Sequence, residues 1–460
     1  MKKGVQIIAL AITCMQINTS ASAQTISAGG FQSLFICLDG TVQSCGDNAS
    51  GQLGDGTTTD RSTPVQVIGL SDVTSVIGGG AHSIFLKSDG TVWACGGNSF
   101  GEVGDGTNTQ RTIPVQVAGL ANIVSIMGGS HHSLFLKSDG TVWACGWNAF
   151  GQLGDGTNTD RTTPIQIPGL SGITAISGVG NKSLFLKNDG TIWACGSNAN
   201  GALGDGTTTD RNSPVQVLGL TDVTFMNGGG FHSLFLKSDG TVWACGSNSN
   251  GQLGDGTTTD RLTPVQVTGL ANIISMSGGG RHSHFLKNDG TVWACGANNN
   301  GELGDGTNTD ASTPAQVSAL ASIIDLEGGA SHSFFLKNDG TIQSCGINTD
   351  GQLGLGNNTN SNIPMSVVSL CSVATGMDQA SDENLSVVVY PNPATDRLTI
   401  RTDVRMNGSN YAIFDRTGRQ VLTGNINLDV LPVDISSLAS GAYLIRVGQA
   451  SGQRFNVINE

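Results

Sequence analysis

Val73–Leu120 reads VTSVIGGGAHSIFLKSDGTVWACGGNSFGEVGDGTNTQRTIPVQVAGL. It contains four short runs of apolar and β-branched residues, separated by clusters of glycine, asparagine and threonine. Asp89–Gly90, between the second and third runs, is typical of a hairpin turn in which glycine takes a positive φ. Pro114 is expected at the first residue of the fourth strand, where a missing N–H is tolerated. The segment therefore predicts four short antiparallel strands.

The same pattern recurs every 50 residues, and one cysteine marks each copy. These cysteines are Cys45, Cys95, Cys145, Cys195, Cys245, Cys295 and Cys345. Self-similarity at this period indicates one supersecondary unit copied seven times, and four strands per copy match a propeller blade. No 3.6-residue apolar period lasts two turns, so helices are excluded. A linear β-solenoid is the main alternative, but its coils usually have shorter repeats. We predict an all-β protein with a seven-bladed β-propeller of four-stranded blades over residues 24–375.

Composition and charge narrow the class of protein. Glycine makes up 67 of 460 residues, and only 12% of residues are charged, which is typical of a turn-rich β protein. The net charge of −13 repels phosphate backbones, so no nucleic-acid partner is expected. After the N-terminus no apolar run approaches 18 residues, so no membrane span is expected in the mature chain.

Residues 1–23 are predicted to be a secretory signal peptide. Lys2 and Lys3 supply the positive region, and an apolar segment follows at Val5–Met15. Ala21–Ala23 reads Ala-Ser-Ala, which matches a cleavage site that leaves Gln24 first. The mature protein is therefore expected outside the cytoplasm, where disulfides persist.

Four motifs recur in fixed order and carry a resemblance to a known family. In the second copy they are Gly-Gly-x-His-Ser at 79–83, Asp-Gly-Thr-Val at 89–92, Cys-Gly-x-Asn-x-x-Gly at 95–101 and Pro-Val-Gln-Val at 114–117. Over about residues 25 to 375 this pattern resembles the repeat of the regulator of chromosome condensation family, which implies a seven-bladed propeller. Kelch repeats have a similar length, but they place a Tyr before the Trp, and none lies between the glycines and Trp93. The chain departs from the family in having Cys-Gly where Trp-Gly is common.

The period also indicates how the ring closes. Thr25 aligns with Ser75, and Ala374 aligns with Thr74, so the two chain ends are expected to supply consecutive parts of one strand. Cys37 and Cys371 fall outside the repeated cysteine position and align with opposite arms of one hairpin. We predict a Cys37–Cys371 disulfide that joins the first blade to the end of the seventh.

The repeated polar residues favour structural roles. The seven repeated cysteines are expected to be buried and unpaired, since equivalent positions of adjacent blades are generally too far apart to bridge. The histidine that recurs before serine, as at His82, is expected to make a hydrogen bond within its own blade. The acidic loop Asp55–Arg61 lacks the alternation of a calcium loop, so capped turns and an Asp–Arg contact are predicted, with Ca²⁺ as the alternative. The sequence predicts no metal site, no cofactor and no catalytic motif.

Binding residues are expected on the rim formed by the first-to-second-strand turns and the loops after the third strands. Positions on this rim vary between copies and carry aromatic side chains, which are typical of binding hot spots on a rigid scaffold. The candidate residues are Phe31, Phe100, His131, Trp147, Phe150, Phe231 and Arg281. Drift of unselected loops is the alternative interpretation.

The repeat ends after Thr375. Residues 376–384 form a polar linker, and alternating strand and turn signals in 385–460 predict a small β-sandwich. Tyr390–Asp396 reads Tyr-Pro-Asn-Pro-Ala-Thr-Asp, and with Leu438–Tyr443 it resembles the C-terminal sorting domain of the type IX secretion system. That resemblance implies contact with secretion and sorting machinery, passage through the periplasm, and release or attachment at the cell surface.

These inferences favour a secreted or surface-attached, monomeric, non-enzymatic propeller that binds an extracellular protein or glycan. An inhibitor of an extracellular enzyme is the first alternative, by analogy with a secreted β-lactamase inhibitor of this fold. Guanine-nucleotide exchange on a small GTPase, as in the family's namesake, fits less well because the chain is exported and no blade carries an inserted wedge. An unrecognised hydrolase is the remaining alternative.

Overall fold

The computed structural model describes residues 25–37, 39–368, 370–371, 387–390, 397–402, 410–414, 420–426, 430–438, 441–447 and 453–457. The chain divides into two compact units after residue 372. The predicted signal peptide at 1–23 and the linker at 376–384 lie outside the described residues. None of the helices that a membrane span requires occurs in the described part of the chain.

The first unit consists of seven four-stranded antiparallel sheets, each built from one continuous segment with its strands in sequence order. Blade 1 contains β1 Thr25–Ala28, β2 Gln32–Ile36, β3 Val42–Gly46 and β4 Arg61–Gln66, and blade 2 contains β5 Val73–Gly78, β6 His82–Lys87, β7 Val92–Gly96 and β8 Arg111–Gln116. Blade 3 contains β9 Ile123–Gly128, β10 His132–Lys137, β11 Val142–Gly146 and β12 Arg161–Gln166, and blade 4 contains β13 Ile173–Val179, β14 Lys182–Lys187, β15 Ile192–Gly196 and β16 Arg211–Gln216. Blades 5 to 7 contain β17 Val223–Gly228, β18 His232–Lys237, β19 Val242–Gly246, β20 Arg261–Gln266; β21 Ile273–Gly278, β22 His282–Lys287, β23 Val292–Gly296, β24 Ala311–Gln316; and β25 Ile323–Gly328, β26 His332–Lys337, β27 Ile342–Gly346, β28 Ser361–Ser366. The predicted seven-bladed propeller is confirmed.

Local sequence explains the shape of each blade. At the hairpin between β6 and β7, Gly90 has a φ of 78°, and Asp89 accepts hydrogen bonds from the backbone and hydroxyl of Thr91. This confirms the hairpin predicted from Asp-Gly. The prediction for Pro114 is wrong, because β8 begins three residues earlier at Arg111. The ladder to β7 shifts register between Ala94 and Gly96, so the proline lies in a bulge of an edge strand, where its missing N–H is tolerated.

The apolar core lies between blades. Leu34 of blade 1 packs in one cluster with Val76, Phe85 and Cys95 of blade 2, and equivalent clusters occur around the ring. Both faces of the middle strands are covered, which is why their burial is continuous and does not alternate. The repeated cysteines are buried and free, as predicted. Each also donates weakly to a loop carbonyl of the preceding blade, as from Cys95 Sγ to Gln52 O at 3.6 Å.

The seam between blades 7 and 1 carries the predicted disulfide. Cys37, which follows β2, is bonded to Cys371, and their Cα atoms lie 5.5 Å apart. The Cys371 N–H donates to Gln43 Oε1 of blade 1 at 2.6 Å. Cys371 takes a φ of 53°, a left-handed conformation that the repeat otherwise gives to the next position, as at Asp72. The expected continuation of the C-terminal piece at 372–374 falls outside the described residues.

The described residues of the second unit form seven strands in two antiparallel sheets. They are β29 Val387–Tyr390, β30 Arg397–Thr402, β31 Asn410–Phe414, β32 Gln420–Asn425, β33 Val430–Asp434, β34 Gly441–Val447 and β35 Gln453–Val457. One sheet has the order β29-β30-β33 and the other β32-β31-β34-β35. Ile400 and Val433 of the first sheet share one buried core with Ile413 and Ile445 of the second. The two sheets therefore pack face to face, as in a small sandwich.

Candidate binding rim and axial cavity

The turns between the first and second strands lie at the same end of the propeller as the loops that follow the third strands. The Trp147 N–H, after β11, donates to His131 O in the turn before β10 at 2.8 Å. The same bond recurs between Gly97 and Ala81 in blade 2. We call this end the upper rim, and all seven predicted binding residues lie on it.

Four of these residues form one cluster, which we call the aromatic patch: Phe100, His131, Trp147 and Phe150. The Trp147 ring is central, with centroid distances of 5.6 Å to Phe100, 5.8 Å to His131 and 5.1 Å to Phe150. Phe100 and His131 are themselves 5.6 Å apart. Three of these contacts are edge-on and the one between Phe100 and Trp147 is tilted by 35°, and such arrangements stabilise aromatic pairs. The patch crosses from blade 2 to blade 3 and leaves its rings half-exposed.

Buried polar groups hold the aromatic patch in place. Glu102, which is 3% exposed, lies 3.3 Å from His131 Nδ1 and accepts from the Phe100 N–H at 2.9 Å. Burial raises the pKa of Glu102, but His131, His82 and the backbone donors outweigh it, so the pKa lies below its ordinary value. The carboxylate is therefore ionised at neutral pH and fixes two of the four rings.

The other three predicted residues lie apart from the patch. Arg281 stacks on Phe231, with its guanidinium carbon 5.3 Å from the ring centroid. Phe31 is 41% exposed, and no ring contact involves it among the described residues. Sequence position placed all seven on one rim, but contact divides them into a quartet, a pair and a single residue.

A groove flanks the aromatic patch on the side of blade 4. It has a volume of about 320 Å³ and is lined by Phe150, Asn158, Asp210, Arg211, Asn212, Ser213 and Val215. In blades 4 and 5, Asn200 and Asn250 occupy the position of Phe150, and each donates to an aspartate of the next blade. Phe150 cannot make this bond to Asp210. Polar groups of blade 4 therefore line a groove beside an aromatic wall.

An axial cavity of about 250 Å³ opens at the centre of the ring. Its wall consists largely of the glycine backbone between the first and second strands, and Phe231 of the upper rim also lines it. The side chains that enter from the innermost strands include Ser27, Ile77, Met127, Ser177, Val179, Asn227, Ser277 and Glu327. The wall is thus apolar at blades 2 and 3. Elsewhere it is mixed, with polar side chains, Val179, Phe231 and one carboxyl group.

A ring of hydrogen bonds joins the blades behind this cavity. The histidine Nε2 atom of one blade contacts the serine Oγ atom of the next blade in five places. The pairs are His82–Ser133 at 3.1 Å, His132–Ser183 at 3.0 Å, His232–Ser283 at 2.8 Å, His282–Ser333 at 3.0 Å and His332–Ser33 at 3.2 Å. The prediction that these histidines bond within their own blades is wrong. The side chains on the inner strands point to the neighbouring sheet because the blades stack face to face.

The two blades without this histidine use other donors at the same seam. Gln32 Nε2 donates to Gly79 O and His82 O of blade 2, both at 3.0 Å. Lys182 Nζ donates to Gly229 O of blade 5. Lys182 is 2% exposed, and burial lowers its pKa to about 7. The position therefore links blades whichever side chain occupies it.

The acidic loops satisfy their own polar groups. In blade 1, Arg61 contacts Asp55 at 2.7 Å, and Asn48 and Thr57 donate to the same carboxylate. Burial raises the pKa of Asp55, but these donors outweigh it and lower the pKa overall. The predicted Asp–Arg contact is confirmed in blades 1 to 5. In blade 6 Ala311 replaces the arginine.

Comparison with known families matches the Regulator of chromosome condensation (RCC1) repeat to seven segments, 39–86, 89–136, 139–186, 189–236, 239–286, 289–336 and 339–377. The chain belongs to the RCC1 repeat family. Each of the first six RCC1 segments runs from the third strand of one blade to the second strand of the next. One RCC1 segment therefore joins strands of two blades, and the two partners of a histidine–serine contact, such as His82 and Ser133, lie in consecutive segments.

Several solved structures are similar in fold to the first unit. Human WBSCR16 is 25% identical, with a TM-score of 0.63 over 70% of this chain and 88% of that one. Yeast RCC1 (Prp20), solved bound to Kap60, is 20% identical, with a TM-score of 0.65 over 75% of this chain and 84% of that one. Prp20p from Saccharomyces cerevisiae, described with its binding to Gsp1p and histones, is 21% identical, with a TM-score of 0.62 over 70% and 84%. The likeness to the yeast proteins shows the fold alone. No curated protein matches the sequence.

The second unit matches a secretion system C-terminal sorting domain over residues 388–458. This confirms the resemblance seen in the sequence of the tail. A sorting tail of this type indicates secretion or a location at the outer cell surface, and it implies interaction with secretion machinery. The RCC1 propeller is thus the part that is exported with it.

Two features of the RCC1 propeller were not predicted from the sequence: the axial cavity and the buried contacts that cross each seam. The sequence does contain an indication of the cavity, because the residue before each glycine cluster varies from serine to methionine to glutamate while its neighbours repeat. The crossing contacts had none, since strict repetition makes a neighbour in the next blade look the same as one in the same blade.

Proposed function

We propose that this RCC1 propeller is a non-enzymatic extracellular binding protein that recognises a protein or glycan through the upper rim, with the aromatic patch as its main contact. The patch is the observation that carries the proposal. Large half-exposed rings in mutual contact supply apolar area at low entropic cost, and such clusters dominate binding energies. The sorting tail fits an extracellular ligand.

The way the patch is held supports binding over loop drift. The buried Glu102 carboxylate contacts His131 and accepts a hydrogen bond from the Phe100 N–H. Burying a charge without such partners would be costly. Blades 4 and 5 carry serine at the position of Trp147 and asparagine at that of Phe150. The repeat therefore folds without these rings, and stability gives no reason for their presence in blade 3.

The surrounding polar groups support a role without catalysis. The repeated histidines are buried and hold the blades together, and the repeated aspartates are paired with arginine, so these groups are already engaged. The groove beside Phe150 adds amide, carboxylate and guanidinium groups, which suit hydrogen bonding to a glycan or a peptide.

The test applies the full chain in solution to a glycan array. In a second arm the full chain is immobilised and exposed to extracellular protein extracts. The informative variant is Trp147→Ser with Phe150→Asn, because both new residues occur naturally in blades 4 and 5. We expect retained stability and at least tenfold weaker binding. The matched control is Ser197→Ala with Asn200→Ala, at the same positions of blade 4, and it should bind normally. Unchanged binding by the patch variant would contradict the proposal, and chemical conversion of the captured ligand would contradict the non-enzymatic role.

A further inference from the structure

Glu327 is the only charged side chain among the described residues that line the axial cavity. Its Oε2 atom accepts a hydrogen bond from Ser277 Oγ of blade 6 at 3.3 Å. No lysine, arginine or histidine forms an ion pair with it in the described part of the chain. Asp325 lies two residues earlier on β25 and is bonded to the Leu326 N–H at 2.9 Å. A carboxyl group thus faces the cavity without a counter-charge.

The surroundings make this group responsive to an entering cation. Burial raises the pKa of Glu327 to about 8, and the nearby Asp325 carboxyl adds to that rise. The flanking strands β21 and β1 present Ser277 and Ser27, which do not titrate. A cation in a low-dielectric cavity interacts with such a carboxylate far more strongly than at the surface.

Part of the cavity wall is apolar, since blades 2 and 3 contribute Ile77 and Met127. The cavity volume of about 250 Å³ approaches the ~300 Å³ of the smallest typical ligand sites. We propose that the axial cavity binds a primary ammonium group on a short aliphatic chain, with the ammonium at Glu327 and the chain against Ile77 and Met127. An ammonium has three donors, and the oxygens of Glu327 and Ser277, which lie 3.3 Å apart, can accept two of them.

The mouth of the cavity adjoins the proposed binding surface. Ser130 lines the cavity and immediately precedes His131 of the aromatic patch, and Phe231 belongs to both the rim and the cavity. A lysine side chain of a bound protein can therefore supply the ammonium group. This source rests on the proposed function, whereas binding of a free amine does not.

The test is calorimetric titration of the full chain with n-butylammonium at about pH 9, where the carboxyl group is ionised and the amine is protonated. n-Butanol and n-butyrate serve as uncharged and anionic probes of the same length. We expect n-butylammonium to bind and both other probes to bind at least tenfold more weakly. Glu327→Ser should lower the affinity for n-butylammonium at least tenfold, and it should fold because blades 1, 4 and 6 carry serine at this position.

The matched control is Asp339→Asn, which makes the same change in net charge at the hairpin turn of blade 7, on the opposite rim. It should bind n-butylammonium like the original protein. Equal binding of n-butanol, no binding of n-butylammonium, or unchanged affinity in a folded Glu327→Ser variant would overturn the proposal. The variant Trp147→Ser with Phe150→Asn should still bind n-butylammonium, so loss of the patch and loss of the cavity are distinguishable.

The two sources of the ammonium group are separated by competition. If n-butylammonium releases a protein captured on the upper rim, the cavity holds a lysine side chain of that protein. If the protein stays bound while n-butylammonium is taken up, the cavity holds a free amine. Either result supports the site at Glu327.

Discussion

His132 Nε2 lies 3.0 Å from Ser183 Oγ of the next blade, and the serine hydroxyl donates its hydrogen to Gln152 O at 2.7 Å. Because that hydrogen is committed, the histidine must donate from Nε2, which leaves Nδ1 unprotonated. Nδ1 of His132 is buried, and none of the described residues forms a hydrogen bond with it. The seam therefore requires a neutral imidazole, and burial lowers the pKa of His132 to about 3.

The first prediction concerns this pair. His132→Ala should lower the free energy of unfolding by about 2–3 kcal/mol, because it removes a buried ring and its hydrogen bond. Ser183→Ala should cost about 1 kcal/mol, and the double variant should reveal a coupling of roughly 1 kcal/mol between blades 3 and 4. Denaturant unfolding of the four proteins measures this. Strictly additive losses would show that the contact between the blades contributes nothing.

The second prediction concerns acid. Six buried histidines have lowered pKa values, among them His82 and His282 at about 4 and His332 at about 3. Between about pH 6.5 and 4 these histidines therefore bind protons in the unfolded chain but not in the folded chain. Glu327 and Asp325 act in the opposite sense, since their raised pKa values let the folded chain hold protons there. The histidines outnumber them, so stability should fall as the pH falls, by up to about 1.4 kcal/mol per pH unit for each net proton.

Melting temperatures across this range measure the acid effect. The control is His132→Gln, since Gln32 fills the equivalent position of blade 1 and does not titrate. The stability of this variant should fall less steeply as the pH falls, and the difference in slope should correspond to about one proton. Stability that stays constant down to about pH 4 would contradict the requirement for neutral histidines.

The third prediction concerns blade 4, where Lys182 and Val179 replace the histidine and its glycine. At Gly129 an added Cβ would collide with the ring of His132, so the histidine needs glycine three residues before it. Lys182→His alone should therefore cost about 2–4 kcal/mol, through a clash with Val179 and the lost bond to Gly229.

Adding Val179→Gly should restore most of that stability, because the new imidazole can then reach Ser233 of blade 5 as in the other seams. Thermal unfolding of the two single variants and the double variant measures the rescue. A double variant that is less stable than either single variant would show that the glycine is not what admits the histidine.

The fourth prediction concerns the disulfide, which spans a sequence separation of 334 residues. Cys37→Ser with Cys371→Ser should lower stability substantially, since closing so long a loop is worth roughly 5 kcal/mol in the chain-entropy model. Reducing agent should lower the melting temperature of the original protein to that of the variant and leave the variant unchanged. A response of the variant to reducing agent would implicate the seven repeated cysteines instead.

The sequence predicted the structural features that are determined by residues within one repeat. The Asp-Gly hairpins, the four strands and the blade count follow from local turn chemistry and from the period. The disulfide was predictable because Cys37 and Cys371 break the period, and a residue that breaks a repeat carries positional information.

The sequence was uninformative where two repeats meet. His132 could bond to a serine of its own blade or of the next, and both serines are followed by Leu-Phe-Leu-Lys. The aromatic residues could be assigned to one rim, but only coordinates separate Phe31 and Phe231 from the quartet around Trp147. The distance between side chains around a ring depends on how blades tilt and twist, which spacing along the chain does not specify.

As far as the structure describes the propeller, each of its seven sheets comes from one segment of the chain, and the Cys37–Cys371 disulfide links the first segment to the last. Once Cys37 and Cys371 are oxidised, the chain between them forms a covalently closed loop that passes through all seven blades. A single protease cut in any loop between them would open this path without setting a fragment free. The disulfide thus keeps a propeller with one cut loop in a single covalent piece.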